Sequence, residues 1–150
     1  MSLALALTPD HAYPLAVATA GVYSLLIFAG GKVSAARKAA DVKYPAAYAA
    51  NDLAEKDAAA NRFNCAQRAH ANTLENLPIF LLSLFHSSIY HPKYAAGAGL
   101  IWIVGRFFYV AGYSTGNPKK RGNGHFAYLG QLPLLGFSFY KAIASLPLWK

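Results

Sequence analysis

The sequence predicts an all-α integral membrane protein, a four-transmembrane-helix bundle forming a single domain. Three observations predict it. The 150 residues are 55% hydrophobic and only 13% charged, where an ordinary soluble domain carries about 25% charged residues. Four apolar runs stand near the ~20 residues that a helix needs to cross a bilayer. The cations gather between these runs, so the net charge of +8 marks juxtamembrane loops, and a nucleic-acid partner is not expected.

The first run, "YPLAVATAGVYSLLIFAGG" over 13–31, has no charge. Asp10 stands ahead of it and no basic segment precedes it, so it reads as a retained membrane helix and not a cleavable signal peptide. Residues 32–62 are polar, mixed in charge and interrupted by Pro45; they read as a long loop with helical extensions at both ends. The second run, 63–90, confines its charges to its first half. "HPK" joins it to the third, 94–113, whose only charge is Arg106. "TGNPKKRG" follows, and its Gly-Asn-Pro is a turn and helix-stop signal. The fourth run, 122–140, is uncharged but carries Gly, Asn, Gln and Pro133. Helix breakers survive in membranes where neighbouring helices satisfy the freed backbone groups, so this run predicts a packed bundle. Lys32, Arg37, Lys38, Lys43, Lys56 and Arg62 lie in the first connection, Lys119, Lys120 and Arg121 in the third, and only Lys93 in the second. The positive-inside rule therefore places the first and third connections in the cytosol and both termini across the membrane.

Every acid except Glu75 falls between Asp10 and Asp57. Glu75 belongs to "RAHANTLENLP", immediately before the apolar "IFLLSLF". Arg68, Asn72 and Glu75 follow i, i+4, i+7 and so share one helical face. A charge at mid-bilayer costs roughly 2.5–3.5 kcal/mol on insertion scales; nearer the membrane edge the cost is smaller, yet partners are still needed. Two readings of the stripe follow. In one, an Arg68–Glu75 pair joins helices. In the other, the stripe binds a zwitterion: Glu75 takes a cation, Arg68 a carboxylate, and Asn72 offers both donor and acceptor. The third run carries Trp102, Arg106, Tyr109 and Tyr113 at helical spacing. Such aromatics ordinarily form core or interface belt, but two phenols beside an embedded arginine add a site reading. Cys65 is the only cysteine; it forms no internal disulfide and reads as a small buried residue. The five histidines show no ligand spacing, so no metal is expected.

"FNCAQRAHANTLENLPIFL" closely resembles the helix-two signature of the MAPEG family, the membrane-associated proteins of eicosanoid and glutathione metabolism. "ARKAADVKYP" and "YHPKYAAGAGLIWIVGRFFYVAGYSTGNPKKR" resemble its type-3 microsomal glutathione transferase branch. The resemblance implies a homotrimer of four-helix protomers in the endoplasmic reticulum membrane, with reduced glutathione bound between protomers on the cytosolic side. It assigns Arg68, Asn72 and Glu75 to the glutathione motif, with His70 in the same stretch, and Tyr109 and Tyr113 to the tyrosines of the third helix. Arg37 and Lys38 match a basic pair that faces the site from the neighbouring protomer. The family's thiol-activating arginine follows the second tyrosine; Arg121 is the best match, and Lys120 is the match of an ungapped alignment. His70 replaces a glutamine of the leukotriene-C synthase branch and agrees with the type-3 branch. Asn76 replaces a tyrosine and removes one expected hydroxyl.

Glutathione carries two carboxylates, one ammonium and a thiol. Arg68, Arg37 and Lys38 against the single Glu75 match that ratio of charges. The resemblance thus implies a glutathione transferase or glutathione-dependent lipid peroxidase, with Arg121 and Tyr113 at the thiolate. Glutathione serves as cosubstrate, and a lipophilic electrophile or lipid hydroperoxide enters from the bilayer lipid. The alternative is a non-catalytic lipid-binding or scaffold member of the same family.

Overall fold

The computed structural model describes residues 7–146, and among them every regular element is helical. Helix α1 spans Pro9–Ala39. It opens in a 3₁₀ turn at Pro9–His11 and passes through one π-type turn at Val17–Gly21. Pro9 loses nothing in the first turn, where a backbone N–H has no helical acceptor. Beyond α1 the chain is tied back by Arg37, whose Nη1 donates to the Ala46 carbonyl at 2.8 Å and the Val42 carbonyl at 3.3 Å. The same guanidinium stands over the rings of Tyr44 and Phe63, 4.3 and 4.5 Å from their centroids.

A short helix α2, Asn51–Lys56, leads into α3, Ala58–Tyr90. Asp57 starts α3: its backbone is extended and its side chain accepts from Ala59 N at 2.9 Å, which satisfies one of the orphan donors of the first turn. Asn64 clamps the preceding loop to α3, accepting from Ala49 N at 2.8 Å and donating to Ala49 O at 3.0 Å. Polar side chains therefore anchor the connection at 32–62 to the helices on either side of it.

His91 turns the chain into α4, Pro92–Tyr113, with proline again at the first helical position. Helix α4 packs against α1, α3 and α5. Phe80 of α3 stacks on Trp102 of α4 with centroids 3.8 Å apart, and Leu25, Leu84 and Leu134 are fully buried around them. Cys65 is buried in a second cluster with Ala29, Ala69, Val110 and Tyr113. Helices α3 and α5 (Tyr128–Ala144) also share a satisfied polar contact. Ser138 Oγ donates to Ser83 O at 3.1 Å and lies 3.2 Å from Ser87 Oγ. Large apolar side chains cover the outside of the protomer, among them Tyr23, Leu82, Leu129, Leu132 and Phe139. Water does not select for such a surface; lipid or a second apolar surface does.

The fourth apolar run departs from the helix its composition predicts. Its first residues belong to a 3₁₀ segment, Pro118–Ala127, and α5 begins only at Tyr128. The turn before this segment is made by Gly116, at φ +87°, a conformation that costs a side-chain-bearing residue energy. Asn117 then caps the segment by accepting from Lys119 N at 3.0 Å. The segment lies directly on the α4 backbone. A Cβ at Gly112 would stand 2.2 Å from the Lys120 carbonyl oxygen. That close approach fixes where the basic residues of the third connection emerge relative to the end of α4.

Candidate functional site

The polar face of α3 and the aromatic face of α4 meet near the start of α3 and the end of α4. On α3, Arg68 Nη1 donates to Glu75 Oε1 at 2.7 Å. Asn72 Nδ2 donates to Glu75 Oε2 at 3.4 Å. The ion pair bridges two turns of a single helix, so it does not by itself join helices. Both side chains are about half exposed, at 48% and 51%. A guanidinium has five N–H donors, and only Nη1 of Arg68 is directed at Glu75. Each ion therefore keeps an open side on which it can take a partner of opposite charge from outside.

The join to α4 is made by Arg106. Its Nη2 donates to Asn72 Oδ1 at 3.0 Å and to Thr73 Oγ1 at 2.7 Å. Its guanidinium lies 4.0 Å from the centroid of the Tyr109 ring. Tyr109 meets Tyr113 edge-on, with centroids 5.8 Å apart, and the Arg121 guanidinium stands 5.9 Å from the centroid of the Tyr113 ring. One protomer thus assembles Arg68, Asn72, Glu75, Tyr109, Tyr113 and Arg121 into a continuous group. Two guanidiniums with exposed surface, those of Arg68 and Arg121, and one carboxylate belong to this group, an excess of cation suited to an anion that also carries a positive end.

Three of the residues expected in the site are not joined to this group within the protomer. Arg37 bonds to the loop beyond α1 and stacks on Tyr44 and Phe63. Lys38 is exposed at the end of α1. His70 stands two residues beyond Arg68, about 200° around the helix, and so on another face. Asn76 bonds to its own helix, donating to the Asn72 carbonyl at 2.8 Å. Lys120 abuts Gly112 through its backbone, while Arg121 carries the guanidinium over Tyr113.

Sequence spacing missed Thr73, which accepts from Arg106. For Arg106 a signal existed, since it is the only charge of its apolar run. An apolar cleft of about 590 Å³ between α1 and α4 is lined by Tyr13, Val17, Lys93 and Leu100. These residues lie at the opposite ends of the helices from Arg68 and Tyr113, so the cleft does not reach the candidate group. Among the described residues no three His, Cys, Asp or Glu side chains gather to hold a metal ion.

Among the described residues two helices, Pro9–Ala39 and Pro92–Tyr113, are long and apolar enough to cross a membrane. Together with the lipophilic exterior they suit a membrane-associated, all-helical protein. The MAPEG family model matches residues 15–140, and the chain belongs to that family. The family is membrane-associated, uses glutathione, and covers glutathione-dependent transferases and related proteins.

Proposed function

We propose that the chain is a membrane-bound glutathione transferase, or glutathione-dependent lipid peroxidase, of the type-3 microsomal branch of its family. The observation that carries this reading is the placement of Arg121 over Tyr113, beside the group that holds Arg68, Asn72 and Glu75. Glu75 takes the glutathione ammonium, Arg68 a carboxylate, and Tyr109 lines the path between them and Arg121. Lys38, and Arg37 through the guanidinium nitrogens that its loop bonds do not use, reach the ligand from a neighbouring protomer, in a homotrimer whose protomers each cross the endoplasmic reticulum membrane four times with the site on the cytosolic side. The length of α3 supports that depth. Its 33 residues measure about 50 Å, whereas the hydrocarbon core is about 30 Å thick. Counted back from Tyr90, a hydrocarbon core crossed by about 20 residues would end near residue 70, which agrees with Arg68, Asn72 and Glu75 standing at its edge.

The chemistry follows from thiolate stabilisation. A free thiol titrates near pH ~8.5, and lowering that by ~2 units takes about 2.7 kcal/mol of preferential stabilisation of the anion. A guanidinium at ~4 Å supplies up to about 4 kcal/mol at an effective dielectric of 20. In the transferase reaction the thiolate sulfur bonds to an electrophilic carbon, an epoxide C–O bond breaks, and the released oxygen takes a proton. In the peroxidase reaction the sulfur attacks the outer hydroperoxide oxygen and the O–O bond breaks. The lipid leaves as an alcohol, and a second glutathione converts the resulting sulfenic acid to disulfide and water.

The test is glutathione-dependent turnover by the purified protein in lipid nanodiscs, with a lipid epoxide and a lipid hydroperoxide offered separately. Conjugate or oxidised glutathione is the expected product. No turnover with either acceptor favours the non-catalytic, lipid-binding alternative.

A further inference from the structure

Arg106 is the only Lys, Arg, Asp or Glu side chain buried among the described residues, with 6% of its surface exposed. It forms no ion pair among them, and its Nε has no partner. Burying a lone charge is costly unless hydrogen bonds compensate. Its two bonds, both from Nη2, run to Asn72 Oδ1 and Thr73 Oγ1. The Thr73 hydroxyl proton is committed to the Ala69 carbonyl at 2.9 Å, so towards Arg106 this oxygen only accepts.

The bond to Asn72 has a directional consequence. A carboxamide has one accepting and one donating end, and a guanidinium has no acceptor. Asn72 must therefore turn Oδ1 towards Arg106, which leaves Nδ2 beside Glu75. Without the cation, only the long 3.4 Å contact with Glu75 holds the amide in this orientation, and the donor is less firmly set. We infer that Arg106 is a positioning residue: acting through the Asn72 amide, it sets the donor that the ligand site presents beside Glu75. The inference rests on the reading of Arg68, Asn72 and Glu75 as the glutathione site. Its rival is a cation that only ties α3 to α4.

The experiment is calorimetric titration of reduced glutathione into the purified protein in nanodiscs, with thermal unfolding followed in parallel. Arg106→Met is expected to weaken binding about tenfold or more, the loss of one charge-assisted bond, with the helical fold retained. Arg106→Lys restores most of the affinity, because both bonds leave a single nitrogen that an ammonium can replace. In an Asn72→Ala background, Arg106→Met adds no further loss. Additive losses, or a lowered melting temperature with unchanged affinity, would establish the rival. If Arg106→Met does not fold, Asn72→Asp decides: it satisfies Arg106 but turns an oxygen towards Glu75, so binding falls. Undiminished binding by Asn72→Asp overturns the inference. If Glu75→Gln alone leaves affinity unchanged, the glutathione-site reading fails and the inference with it. If Glu75→Gln weakens binding while a folded Arg106→Met does not, only the inference fails.

Discussion

Gly112→Ala puts the positioning of Arg121 to a direct test. The added Cβ would lie 2.2 Å from the Lys120 carbonyl oxygen and 2.9 Å from its carbon. Ordinary contact begins at 3.4 Å, so the 3₁₀ segment must retreat by about 1.2 Å, because backbone on both sides of the contact cannot rotate aside as a side-chain tip can. The residue after Lys120 is Arg121, and the residue after Gly112 is Tyr113, so the retreat separates the two groups assigned to the thiolate. Overpacking of this kind costs about 1–3 kcal/mol of stability, and a displacement near 1 Å at a reacting centre costs on the order of 100-fold in rate. The expected result is a 10- to 100-fold fall in turnover at saturating glutathione, on the order of that displacement penalty. Glutathione affinity, whose ion-pairing groups Arg68 and Glu75 stand on α3 away from this contact, should fall much less than turnover. Stopped-flow turnover and calorimetric titration of the same preparation read the two quantities. Gly136→Ala is the control: nothing lies within 4 Å of its Cβ, and helix propensity predicts a gain of about 0.5–1 kcal/mol with unchanged activity. A folded Gly112→Ala variant with wild-type turnover would show that this contact does not position the catalytic group.

Four further predictions concern the proposed site. Glu75→Gln keeps shape but loses the charge that faces the ligand ammonium; it should weaken glutathione binding by roughly 1.5–3 kcal/mol, and wild-type calorimetry would make Glu75 a purely structural residue. Arg121→Ala removes a cation beside the thiolate, which destabilises the anion and raises the pKa of the bound thiol. Activity should therefore fall at neutral pH and partly return above the free-thiol value near ~8.5, as followed by thiolate absorbance against pH. Tyr113→Phe should have a smaller effect, because a neutral donor stabilises an anion less than a guanidinium does. An unchanged thiol pKa in Arg121→Ala would transfer the role to Lys120. Finally, mass measurement in mild detergent should find a trimer, and a stable, active monomer would rule out sharing of Arg37 and Lys38 between protomers.

The sequence by itself determined the all-helical class and the family, through apolar run length and through motifs that survive without any knowledge of packing. It also determined that Arg68, Asn72 and Glu75 share a face, since a 3.6-residue period fixes angles around one helix. It could not determine which helix that face meets. Arg106 and Asn72 are 34 residues apart in the chain, and their contact depends on the axial offset of α3 against α4, set by Phe80 on Trp102 and the buried side chains around that stack. That offset, and not spacing, turns the Asn72 amide. Likewise only tertiary structure decided that Arg37 holds the 40–46 loop, because its acceptors are backbone carbonyls that any sequence provides. The 3₁₀ segment was illegible for a similar reason. Glycines at 112 and 124 permit two backbones to touch, but a glycine signals only that close approach is allowed, and the partner is chosen by the packing of the whole bundle.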